Sequence, residues 1–203
     1  MRTLEDLDLA GKRVFLRADL NVPLDGGRIS DATRIEATLP TIRHILARGG
    51  RPIVASHLGR PKGTPKAELS LRPVADFLRT ALGVPVTLAP DCVGPATERL
   101  VQSMGAGQVV VLENLRFHAE EEQNDPAFAR SLAALAEVYV DDAFGAAHRA
   151  HASTAGMTAY FRDKAAGLLL CREVEFLSKL LRAPEAPFVA ILGGAKVSGK
   201  IGV

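Results

Sequence analysis

Short apolar runs alternate with longer amphipathic stretches along this chain. Strands are predicted at Arg13 to Ala18 (RVFLRA), Pro52 to Ser56, Val84 to Ala89, Gln108 to Leu112, Glu137 to Val140 and Phe188 to Leu192. Between them lie helical patterns. Arg34 to Arg48 has apolar residues at Ile35, Leu39, Ile42, Ile45 and Leu46 and ends at Gly49 and Gly50; Pro40 inside it should bend the helix or mark its true start. Ser70 reads as an N-cap, with Pro73 in the first turn of a helix running to Leu82. Gly94 to Ser103 is a third helix, and Asp125-Pro126 opens a fourth that runs to Ala136. Two more are expected around Ser153 to Phe161 and Glu173 to Leu181. Pro23 to Gly27 reads as a turn and Gly59 to Pro65 as an exposed loop.

Strand and helix in repeated alternation imply parallel pairing, with helices on both faces of the sheet. Near-continuous apolar strands agree, because such sheets are buried on both sides. The expected fold is α/β: a doubly wound, Rossmann-like three-layer sandwich with a six-stranded parallel sheet. No internal repeat or low-complexity linker divides residues 1–203, so one domain is expected.

Composition narrows the function classes. Hydrophobic residues make up 47% of the 203, enough for a sizeable core. A net charge of +2 is too small to argue for nucleic acid or a membrane surface. Cys92 and Cys171 lie far apart, fit no metal or redox spacing, and read as ordinary thiols of a reducing cytosol. The charged start, Met1 to Asp8, has no signal-peptide pattern, and no apolar run is long enough to span a bilayer.

Ligands of open parallel sheets bind beyond the carboxyl ends of the strands. After the first predicted strand come Asp19 and Asn21; after the second, His57 and Arg60; after the fourth, Asn114 and Arg116. After the fifth come Asp141 and Asp142, then Arg149 between His148 and His151. The third supplies only Asp91 and Cys92. The sixth leads into Gly193-Gly194 and then Lys196 and Lys200, which share one face if that segment is helical, beside a ready anion site at the helix start. Gly194 to Lys200 nearly matches GxxxxGK[ST], but Ile201 stands where a magnesium-binding hydroxyl is needed. The bland alternative is a buried strand before a helix with solvated lysines. Each rim arginine could likewise be a solvated side chain. The two histidines find no third ligand at metal spacing. Glu120 to Glu122 reads as a solvated loop or the start of a helix, and Met157 and Phe161 as core. Several cations gathered on one rim repel unless an anion joins them. With Asp19 and Asn21 beside them, the ligand inferred from the residues is a small phosphorylated hydroxy acid.

Five segments carry a resemblance. RADLNVP (Arg17 to Pro23), SHLGRP (Ser56 to Pro61), LENLRFH (Leu112 to His118), DDAFGAAHRAH (Asp141 to His151) and ILGGAKVSGK (Ile191 to Lys200) resemble the phosphoglycerate kinase family in order and spacing. The resemblance covers the N-terminal half of that family's protein. It implies a 3-phosphoglycerate site. Asp19 and Asn21 would take the hydroxyl and carboxylate side. His57, Arg60, Arg116 and Arg149 would hold the phosphate, and the backbone at Leu20, Leu58 and Gly59 would line the pocket. Arg34 resembles the family's catalytic arginine. Lys200 resembles the lysine that reaches the nucleotide phosphates, with Lys196 beside its path.

The resemblance further implies reversible phosphoryl transfer between 1,3-bisphosphoglycerate with ADP and 3-phosphoglycerate with ATP, in cytoplasmic glycolysis. Mg-ATP or Mg-ADP would be bound mainly by a C-terminal nucleotide-binding domain, absent from these 203 residues, and not by this chain alone. The partners implied are 3-phosphoglycerate or 1,3-bisphosphoglycerate and that second domain, with no nucleic acid or membrane, in an enzyme that is a monomer at full length. No protein-bound metal is implied here. The isolated chain is expected to bind substrate and turn over little, because domain closure joins the two sites. The competing readings are a stand-alone binding module for a phosphorylated metabolite and a bare folding unit.

Overall fold

Alternate residues of each strand face opposite layers, and in a computed structural model the core divides accordingly. The structure describes residues 1–182, 184, 186–189 and 191. In chain order the elements are β1 (Arg13–Ala18), β2 (Leu24–Asp25), β3 (Arg28–Ile29), α1 (Thr33–Ala47), β4 (Arg51–Ala55), α2 (Arg72–Leu82), β5 (Val86–Leu88), α3 (Pro95–Gln102), β6 (Val109–Val111), α4 (Ala119–Glu122), α5 (Pro126–Ala133), β7 (Val138–Asp142), α6 (Phe144–Ala147), β8 (Asp163–Ala166) and α7 (Leu168–Arg182). Val14, Leu16, Val54, Val111, Val138 and Val140 pack against α1 and α2 through Ile35, Ile42, Ile45, Val74 and Leu78. Phe15, Ile53, Val110 and Tyr139 face the other layer, which holds Val101 of α3, Phe128 and Leu132 of α5, and Met157 and Phe161. That is the period-two alternation of a sheet covered on both faces.

The six-stranded sheet has the order β5-β6-β4-β1-β7-β8, and every pairing is parallel. From β1 the chain winds to one side through β4, β5 and β6, then crosses to the other side for β7 and β8. The reversal opens a crevice between β1 and β7, where the connecting loops part at the carboxyl ends. The small antiparallel pair β2–β3 turns at Gly26 and Gly27. Among the described residues, no helix is long and apolar enough to cross a membrane.

The sixth strand is not the expected one. The edge position belongs to Asp163–Ala166, whose sequence DKAA carries no apolar run. Phe188, Val189 and Ile191 are exposed and outside any strand, while Ala190 and Leu192 lie outside the described residues. The expected helix around Ser153 to Phe161 is a 3-10 turn at Gly156–Tyr160. Helix α1 continues through Pro40, which is exposed, so the carbonyl it leaves without an N–H partner lies on the solvent side. Asp125 caps α5 as expected, accepting from Phe128 N–H at 2.8 Å. The start of α2 is secured by two residues together: Glu113 accepts from Ser70 Oγ at 2.7 Å and from Leu71 N–H at 2.8 Å.

Helix α7 begins on a buried carboxylate. Asp142 Oδ1 accepts from Leu169 N–H at 2.9 Å and Leu170 N–H at 3.1 Å, and burial pushes this carboxyl's pKa up. A Cβ at Gly167 would collide with that carboxylate, which cannot shift without releasing the first turn of α7. Gly167→Ala is expected to destabilise the chain by about 1–3 kcal/mol, read by urea unfolding. A change below about 0.5 kcal/mol, the level of an ordinary surface substitution, would show that the cap adjusts freely.

Candidate functional site

The carboxyl ends of β1, β4, β6 and β7 meet in one rim, held together by side chains bonded to backbone. Asn114, fully buried after β6, accepts from Leu58 N–H at 3.3 Å and Arg116 N–H at 3.1 Å, and donates to Leu58 and Leu69 carbonyls at 2.8 and 2.9 Å. Asn21 accepts from Gly59 N–H at 2.8 Å. Ser56 Oγ accepts from Leu20 N–H at 2.9 Å. Gly59 sits at φ 60°, and a Cβ there would press within 2.8 Å of Leu69, so the loop after β4 needs glycine at this point. The amides of Leu20, Leu58 and Gly59 are thus engaged within the protein, and these residues form the frame of the rim.

Onto this frame the fold brings cations. Arg116 is buried, donates from Nη1 to the Gly59 carbonyl at 3.1 Å, and approaches Glu122 at 3.4 Å through Nε. Burial, opposed by Glu122, and then the charges of Arg149 and Arg17 bring its pKa down. His57 is 7% exposed. Its pKa falls from an ordinary 6.5 to about 2, first because burial penalises the imidazolium, then because Arg17, Arg116, Arg149 and His151 repel it. Arg149 is partly buried and its Nε lies 3.2 Å from His148 Nε2. His151 is also held below its ordinary pKa, chiefly by burial.

Other sequence candidates stand further out. Arg34 is 54% exposed along its side chain and donates to Asp19 Oδ2 at 2.6 Å, so two candidates pair with each other. Arg60 is exposed and makes no side-chain hydrogen bond or ion pair among the described residues. Lys196 and Lys200 lie outside the described residues. The acidic run is only partly solvated. Helix α4 carries it, Glu121 is buried, and its carboxylate accepts from Ser153 N–H and Oγ at 2.9 and 2.5 Å. Asp91, Cys92 and His118 also come together, but Asp91 already accepts from Cys92 N–H at 2.6 Å and lies 2.7 Å from His118 Nε2. The group is satisfied internally.

Sequence reasoning missed Arg17. It is the penultimate residue of β1, 1% exposed, with Nε donating to Ser153 Oγ at 2.9 Å, Nη1 to the Ala18 carbonyl, and Nη2 at 3.4 Å from His57 Nδ1. An arginine set between Leu16 and Ala18, within the buried run of the strand, was the available signal: a buried charge needs a reason.

A sequence model of phosphoglycerate kinase matches residues 4–203. The chain belongs to the phosphoglycerate kinase family. Phosphoglycerate kinase of Moorella thermoacetica is 60% identical over 201 residues, covering 99% of this chain and 51% of its own length. That of Anaeromyxobacter sp. (strain K) is 59% identical over 206 residues, covering 100% and 52%. The solved phosphoglycerate kinase structure from Coxiella burnetii aligns with a TM-score of 0.84 at 41% identity, over 98% of this chain and 50% of that one. The chain spans about half the length of the phosphoglycerate kinases it matches. The six-stranded parallel sheet flanked by helices agrees with its phosphoglycerate kinase neighbours.

The neutrality of His57 has a pH consequence. Its folded pKa, about 2, lies below the ordinary 6.5, so between those values the unfolded chain binds a proton that the folded one refuses. The associated stability is complete above pH 6.5 and is lost as pH falls toward 2, at about 1.4 kcal/mol per pH unit. His57→Gln is expected to flatten the stability profile between pH 6.5 and 4.5 by about that slope, measured by urea unfolding at several pH values. An unchanged slope would mean that His57 takes up its proton while folded.

Proposed function

We propose that this chain forms the 3-phosphoglycerate side of a phosphoglycerate kinase. That enzyme transfers a phosphoryl group reversibly between 1,3-bisphosphoglycerate with ADP and 3-phosphoglycerate with ATP. The observation that supports this most is the gathering of Arg17, Arg116 and Arg149 around a neutral, buried His57 at the crevice of a parallel sheet. Such a cluster is self-repelling until an anion enters, and a phosphate dianion suits several guanidinium groups at once. Membership of the family supplies the substrate class.

The residue roles accord with the same reading. His57, Arg60, Arg116 and Arg149 hold the 3-phosphate, with Arg60 turning in from the exposed loop. Asp19 and Asn21 face the hydroxyl and carboxylate, and Leu20, Leu58 and Gly59 shape the wall. The reacting carboxylate is already ionised, so its attack on the terminal phosphorus of ATP needs no general base. One carboxylate O–P bond forms, and the bond from phosphorus to the ADP oxygen breaks. Arg34 neutralises charge on the transferring group. Its pair with Asp19 is exposed on the arginine side, worth about 0–1 kcal/mol, and is readily exchanged for a stronger anion. Mg-ATP and Mg-ADP enter as substrates, with Lys200 reaching their phosphates and Lys196 beside that path. The side chains gathered around His57 in the described rim are mainly cationic, a set that suits an anion and not a metal ion. A reaction of this kind belongs to glycolysis in the cytoplasm.

Calorimetric titration of 3-phosphoglycerate into the chain at low and high salt tests the proposal. One-to-one binding that weakens with salt, and weakens at least about tenfold in Arg149→Ala, is expected. Salt-insensitive or absent binding would overturn the substrate reading. Turnover is expected when the other half of a full-length relative is added, and little without it. Binding without any such rescue would instead favour a stand-alone metabolite-binding module.

A further inference from the structure

We infer that Ser153 is a positioning residue for the anion site, fixing the Arg17 guanidinium through a hydroxyl held by the buried carboxylate of Glu121. The inference rests on reading the rim as an anion site. Three side chains form an unbroken buried line: Glu121 is 1% exposed, Ser153 0% and Arg17 1%. The Ser153 hydroxyl donates to Glu121 Oε1 at 2.5 Å. That leaves the lone pairs of Ser153 Oγ facing Arg17 Nε–H at 2.9 Å. The direction of every proton in the line is thereby set, and Arg17 Nη2 is presented to His57 at 3.4 Å.

Electrostatics gives the line a second task. No carboxylate touches Arg17 directly among the described residues; its direct partners are Ser153 Oγ, the Ala18 carbonyl and His57. Glu121 answers that buried charge across one hydroxyl. A carboxylate in direct contact would compensate Arg17 more fully and compete with an incoming anion. One placed behind a serine steadies the cation without a direct contact that would cancel its charge. Glu121 also ties down the loop that carries Arg149 and His151, since Ala152 N–H donates to its carbonyl at 2.9 Å and Ser153 N–H to its Oε2 at 2.9 Å.

A double-mutant cycle on the 203-residue chain tests this, with 3-phosphoglycerate affinity as one readout. Ser153→Ala is expected to weaken binding about tenfold, and to cost little more in an Arg17→Ala background, because both changes break the same line. Ser153→Thr keeps the oxygen and should restore affinity to within about threefold of the wild type. A loss of equal size in both backgrounds would overturn the inference, because Ser153 would then act on the loop and not through Arg17. The second readout needs no ligand: solvent exchange of the Arg17 Nε–H proton by NMR. It should be protected in the wild type and in Ser153→Thr, and exchange rapidly in Ser153→Ala. Protection that persists in a folded Ser153→Ala chain would defeat the tether. If the wild type binds no 3-phosphoglycerate yet Arg17 loses its protection in Ser153→Ala, the anion-site reading falls while the tether stands.

Discussion

A guanidinium group sits almost wholly out of water at the end of the central strand, and much of the rim is arranged to make that tolerable. Removing an unpaired charge from water costs several kcal/mol even after the protein relaxes. Arg17 meets that cost with a backbone carbonyl, a serine hydroxyl and the unprotonated face of His57. Each partner is fixed by another element. Ser153 is set by Glu121 from α4, and Tyr139 on the neighbouring strand donates its hydroxyl to the Ser153 carbonyl at 2.9 Å. His57 stays neutral because it is buried among positive charges. The sheet order that puts β4 on one side of β1 and β7 on the other is what lets a single side chain reach all of these.

The frame around that charge consists largely of amide side chains bonded to backbone. Asn114 alone makes four such bonds, and Asn21 and Ser56 each receive one backbone N–H. A loop after a strand carries peptide groups that neither helix nor sheet will satisfy. Asparagine can give and accept at once, so one residue closes the loop after β4 onto the loop after β6. A rim stiffened in this way holds its cations apart at fixed spacing before any ligand arrives. Less ordering then remains to be done on binding.

The layered sheet was legible because its interior strands are apolar on both faces; β1, β4, β6 and β7 stand within one or two residues of where the apolar runs put them. β8 was not, because an edge strand that buries only Ala165 and Ala166 needs no hydrophobic run, whereas the longer run at Phe188 looked like one. His57 and Arg116 were found from their place after strands. Arg17 escaped the same rule because it lies inside β1, and the rule points only to loops beyond the strand ends. Glu121 was misjudged for a related reason. In a run of three glutamates the sequence does not say which one turns inward, and only the helix phase of α4 and the nearby Ser153 decide it.

Two kinds of arginine therefore stand at this rim, and their difference in burial suits different work. Arg17 and Arg116 are immobilised, their donors committed to backbone, serine or glutamate, and they contribute a standing positive potential. Such charges act on a bound anion throughout a reaction, in ground state and transition state alike, and so favour binding. Arg34 projects from the first turn of α1 with more than half its side chain in water and a single carboxylate partner. A cation that must follow a phosphoryl group from one oxygen to another cannot be locked to either end. Only interactions that strengthen as charge moves speed the chemical step. The looseness of Arg34 beside the rigidity of Arg17 is thus what the phosphoryl transfer proposed for this rim would use: one set of charges to hold the acceptor still, and one free to move with the group being passed.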